Sequence, residues 1–85
     1  MFINKAADGR NNICGHNVAK LRIELGLSQR ALADKLQVHG LDIDKNAIQR
    51  IEAGKRFVTD IELVVLSDVL NVPFSELITV EHTST

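Results

Sequence analysis

A single cysteine, Cys14, stands among the 85 residues. That excludes an internal disulfide framework and any zinc site built from several cysteines. No apolar run approaches the roughly 18–20 residues of a membrane span. The first fourteen residues, MFINKAADGRNNIC, lack the continuous apolar stretch of a secretory signal. The chain is therefore expected to be cytoplasmic, with no membrane partner. His16, His39 and His82 lie far apart without metal-ligand spacing, so no metal is expected. Ser28, Ser67 and Ser75 have no Asp–His relay in recognisable spacing, and no Gly-rich loop is set to cradle phosphate. No catalytic activity, cofactor or small-molecule substrate is expected. Lysine and arginine are missing altogether from residues 57–85, which carry five acids.

What is present fits one small domain. Hydrophobic residues make up 45% and charged residues 25% of the chain, ordinary values for a globular sequence. The net charge of −1 hides an asymmetry: residues 1–56 hold all ten cations beside six acids, net +4. Such a division hints at an electrostatically directed surface, although a solvated mixed-charge face is the commoner cause.

Read along the chain, residues 1–15 lack sustained periodicity and are expected to form a flexible or loosely docked arm. Residues 16–78 carry the helical domain, and 79–85 a polar tail. Asn17 is read as the N-cap of a first helix in which Val18, Leu21 and Leu25 recur at helical spacing, with Gly26 as its stop. Ser28 caps a second helix ending near Val38, with Leu32 and Leu36 one turn apart. Asp44 caps a third, from Lys45 to about Ala53, closed by Gly54. Thr59 and Glu62 have the spacing of a capping box and open a fourth helix through Leu70, stopped by Asn71. Pro73 is placed at the first position of a short fifth helix reaching about Ile78. The alternation of Ile78, Val80 and His82 leaves a short strand in the tail open. The expected fold is all-α, a bundle of five helices.

The third helix is the informative one. At 100° per residue, Lys45, Gln49, Asn46 and Arg50 fall within about 140° of one another, while Ala47, Ile51 and Ile48 occupy the opposite side. One face is apolar; the other consists of hydrogen-bonding side chains. Asn pairs with the adenine edge, Arg or Lys with guanine, and each can hold phosphate instead. An ordinary amphipathic surface helix has the same wheel, so the context has to decide.

Leu27-Ser28-Gln29-Arg30-Ala31-Leu32-Ala33-Asp34-Lys35-Leu36, followed by Ile48-Gln49-Arg50-Ile51-Glu52-Ala53-Gly54-Lys55-Arg56, resembles the phage-repressor (Cro-like, XRE) helix-turn-helix family. The resemblance covers roughly residues 16–78. It implies a compact five-helix bundle whose second and third helices form the DNA-binding unit. Gln29, with Arg30 beside it, then takes the first-turn position of helix two that meets a phosphate. Lys45 and Asn46 take the first recognition-helix positions, at base edges; Gln49 and Arg50 lie one turn later; Lys55 and Arg56 belong to a phosphate-holding loop. The sequence departs from the family in the turn, where Val38 through Asp42 add several residues. Ile43 and Asp44 replace the usual hydrophobe and Ser or Thr cap, and an insertion here can tilt or shift the third helix.

Arg22 and Glu52 border the apolar stripes of helices one and three, and a structural ion pair between them is expected, as in the family. A module of this size reads few base pairs, so double-stranded DNA bound by a homodimer is the expected mode. Phe57, Phe74, Leu77 and Ile78 are the expected dimer contacts. Lys5 and Arg10 are arm candidates for groove or backbone contact. Cys14 is read as an incidental, exposed thiol, and His39 as a solvent-exposed loop residue. The competing reading is a protein-interaction module, antitoxin or adaptor, working through a contiguous exposed apolar patch on the fifth helix.

Overall fold

Three of the helix starts follow from one piece of chemistry. The first amides of a helix lack intrahelical acceptors, and a short oxygen-bearing side chain supplies one. In the computed structural model, which describes residues 6 and 8–79, Ser28 Oγ accepts from Ala31 N at 3.0 Å and Asp44 Oδ1 from Ala47 N at 2.8 Å. At Thr59 the full capping box forms, its hydroxyl accepting from Glu62 N while Glu62 Oε1 accepts from Thr59 N. The elements among the described residues are α1 (Gly15–Glu24), α2 (Gln29–Val38), α3 (Lys45–Glu52), α4 (Asp60–Leu70) and α5 (Phe74–Ile78). The fold is all-helical. The tail strand left open over Ile78–His82 lies largely outside the described residues, as does Lys5.

Two starts differ from expectation. Pro73 is the extended cap residue before α5 rather than its first helical residue, and the helix begins at Phe74. In α1 the helix opens two residues before Asn17, at Gly15, whose amide donates to Asn12 Oδ1 at 2.8 Å. Asn17 is used across the bundle instead, its amide donating to the carbonyls of Leu77 and Thr79. That contact ties α1 to the end of α5.

The core is assembled from every helix and one turn. Val18 comes from α1, Leu32 and Leu36 from α2, Ile48 and Ile51 from α3, Leu66 and Leu70 from α4, and Leu77 from α5. Each is essentially withdrawn from solvent, and burying a side chain of this kind stabilises by roughly 1.5–3 kcal/mol before entropy is counted. The inserted turn joins the core through Ile43, which is 1% exposed. Leu41 N donates to Leu36 O at 3.0 Å and Gln37 Nε2 to Ile43 O at 3.0 Å. The longer turn is thereby pinned at both ends, and α2 still packs closely on α3.

A candidate nucleic-acid interface on the third helix

Helix α3 is eight residues long, and its two faces separate cleanly. Ile48 and Ile51 are fully buried, and Ala47 is half-buried. Lys45, Asn46, Gln49 and Arg50 are all exposed. The Asp44 cap fixes the start of the helix, so the four polar side chains leave one face in register with the buried stripe. No base or phosphate is needed to hold them there; they stand in solvent as free donors and acceptors.

The other end of α3 is closed by a turn that needs glycine. Gly54 has φ of 78°, the left-handed region that side chains resist. Gly54 N then donates to Ile51 O at 3.0 Å and Lys55 N to Arg50 O at 2.9 Å, the paired bonds of a Schellman stop. Lys55, exposed, emerges directly from this turn. Arg56 is only partly available. Its guanidinium donates to both oxygens of Glu62, at 3.0 and 2.9 Å, and this pair holds the Glu62 carboxyl below the usual carboxylate range. A phosphate contact by Arg56 would have to share that group with Glu62.

Behind the exposed face lies a buried-edge network. Arg22 Nε donates to Glu52 Oε2 at 2.7 Å and Nη2 to Oε1 at 3.0 Å, while Nη1 reaches Leu27 O at 2.8 Å. The side chains are only 13% and 9% exposed. Gln29 Nε2 also donates to Glu52 Oε1, at 3.0 Å. Gln29 thus braces α2 against α3 and spends one of its two amide hydrogens on doing so. Arg30, next to it, is exposed.

The segment before α1 is part of this region, contrary to the expectation of a loose arm through residue 15. Arg10 Nη2 donates to Glu52 O at 2.7 Å. Asn11 N donates to Gly54 O at 2.8 Å, and Asn11 Nδ2 to Lys55 O at 3.0 Å. Asn12 Nδ2 donates to both Ile51 O and Arg56 O, at 3.0 and 2.7 Å. Arg10 therefore faces inward, against the backbone rather than a groove. The physical reason is the set of carbonyls left over at the end of α3, which need donors. Sequence reasoning placed Arg10 on an arm toward DNA and missed Asn11 and Asn12; two amide side chains just before a helix were the available signal. Cys14, expected to be exposed, is 3% exposed, and burial pushes its thiol pKa up to about 11.

Of the expected dimer contacts, Phe57, Phe74 and Ile78 are exposed at 57%, 46% and 51%. Leu77 is not available: it is 0% exposed, because the buried face of α5 is the one that meets α1 and α4. Ile61 and Val64, two further exposed apolar residues, lie one turn apart on α4. Among the described residues, no cluster of His, Cys, Asp or Glu is arranged to hold a metal, and no helix is long and apolar enough to cross a membrane.

The helix-turn-helix family model matches residues 18–77. The chain belongs to that family, in its XRE-type branch. Its structure is similar to that of the restriction-modification controller protein C.AhdI from Aeromonas hydrophila, with a TM-score of 0.65 and 28% identity. The likeness covers 74% of this chain and 84% of that one. No curated protein matches the sequence. Family and fold together make the chain a DNA-binding regulator, and α2–α3 its helix-turn-helix.

Proposed function

We propose that this protein is a sequence-specific transcriptional regulator that lays α3 in the major groove and binds a two-half-site operator as a dimer. The observation that carries the reading is the division of α3: Lys45, Asn46, Gln49 and Arg50 exposed together, with Ile48 and Ile51 buried behind them. In this reading those four discriminate base edges, while Lys55, Arg30 and the second amide hydrogen of Gln29 fix the register on phosphates. Arg56 contributes charge more than a free contact, since Glu62 already holds it. In this reading the acidic residues of α4 and α5 other than Glu62, which pairs with Arg56, face away from the duplex.

Dimerisation uses Phe57, Phe74 and Ile78, with Ile61 and Val64 as neighbouring apolar surface, and places the two recognition helices about 34–36 Å apart on successive half-sites. In this reading the mechanism is occupancy: a bound operator is closed to other proteins, which is repression. The similar structure is a controller protein, which supports a regulator. Selection of bound sites from a random duplex library tests the whole reading. The expected product is a short, two-fold-related pair of half-sites about one helical turn apart; recovery of unenriched sequence would contradict it.

A further inference from the structure

We propose that the segment Arg10–Gly15 is a positioning element of the DNA site, a clamp that sets the Lys55–Arg56 loop for phosphate contact. The proposal rests on the DNA-binding reading and goes beyond it, because the segment precedes the residues that match the family. Five of the six carbonyls from Ile51 to Arg56 accept a hydrogen bond from Arg10, Asn11 or Asn12. Asn12 is the hub. It is 9% exposed, and its side chain uses both amide hydrogens and its oxygen at once: Ile51 O and Arg56 O on one side, Gly15 N on the other. One residue thus joins the start of α1, the end of α3 and the far side of the loop that carries Lys55.

Two close approaches show that the clamp is fitted rather than draped. A Cβ on Gly15 would run into Ile51 O, and one on Gly54 would meet the Arg10 side chain at 2.6 Å. The last carbonyls of a helix carry partial negative charge, which repels phosphate. Arg10 and Asn12 cover the carbonyls of Glu52 and Ile51 with donors, and Asn11 does the same for the loop carbonyls of Gly54 and Lys55. They also hold the loop in one conformation, so less order has to be gained when DNA binds. Phosphate contacts carry no sequence information. Loosening the clamp should therefore weaken every duplex alike and leave base preference untouched.

The test uses the full chain with Asn12→Ala and, separately, Asn11→Ala. The second variant removes a single side-chain bond, to Lys55 O at the exposed rim, and keeps the fold if the first does not. Binding is followed by fluorescence anisotropy on the duplex selected by the wild type and on an unrelated duplex, across a salt series. Each variant is expected to bind both duplexes about threefold to tenfold more weakly. For Asn12→Ala the salt slope should fall by about one phosphate contact, with the ratio of the two affinities unchanged. A variant that melts lower yet keeps the wild-type affinity and salt slope would make the segment a purely structural cap and overturn the proposal. Failure of the wild type to bind any duplex would instead overturn the DNA reading, and this inference with it.

Discussion

Arg22 and Glu52 join α1 to α3 through two parallel bonds, at 2.7 and 3.0 Å, and Gln29 adds a third to the same carboxylate. Three elements therefore converge on one anion at the edge of the core. The planar fork of arginine suits this arrangement in a way that lysine does not. Burial also makes the pair asymmetric: with one partner gone, the other is left as an unmatched charge.

Replacing Glu52 by alanine strands both Arg22 and Gln29. The expected loss is roughly 2–4 kcal/mol, somewhat under the range for a fully buried pair because the edge keeps some water. The midpoint of urea unfolding reads it directly. A variant that unfolds at the wild-type midpoint would show that the pair contributes nothing.

Gly15→Ala is expected to be among the most damaging single-methyl changes in the chain. The added carbon would meet Ile51 O, Arg10 Nη2 and Asn12 Oδ1 together, and backbone cannot move aside as a flexible side chain can. A loss above about 2 kcal/mol follows from forced displacement of this kind. Thermal melting followed by circular dichroism measures it.

Cys14 should resist thiol reagents in the folded protein. Burial is the main cause of its raised pKa, only partly offset by the backbone bond and by Arg10. Ellman's reagent at pH 8 is expected to react slowly with the native chain and rapidly in denaturant. The sign of the pH effect follows. The folded thiol stays neutral up to about 11, whereas the unfolded one ionises near about 8.5. The contribution of Cys14 to stability is thus flat below that lower value and falls as pH rises through the interval.

The two faces of α5 should separate fold from assembly. Leu77→Ala opens a cavity in the core and is expected to cost about 2–5 kcal/mol. Phe74→Ser or Ile78→Ser removes only exposed apolar surface, leaving the melting of the monomer nearly unchanged while lowering the sedimentation mass if these residues hold a dimer together. A dimer that survives both surface changes would move the interface elsewhere.

The parts of the fold legible in the sequence are those governed by local chemistry. Ser28, Asp44, Thr59 with Glu62, and Gly54 each act within four residues of themselves, and each is found doing so. The opposed faces of α3 are legible for the same reason, since a helical period needs no knowledge of neighbours. What escaped depends on partners distant along the chain. Asn12 meets carbonyls 39 and 44 residues away, and Asn17 meets one 60 residues away, so a residue with the look of a cap was drawn into tertiary bonding instead. Leu77 sits on a five-residue helix, too short for periodicity to tell the inward face from the outward one. Cys14 is buried because the clamp beside it is docked, which its own neighbourhood does not reveal.

The division of labour on the α3 face is tested most directly by comparing Asn46→Ala with Lys55→Ala in equilibrium binding to the selected duplex and to unrelated duplexes. Asn46→Ala is expected to lose roughly 1–3 kcal/mol on the selected site and to relax base choice at one position. Lys55→Ala should weaken all duplexes alike and reduce the salt slope by about one. Identical behaviour of the two variants across every sequence would contradict the assignment of α3 to the base edges.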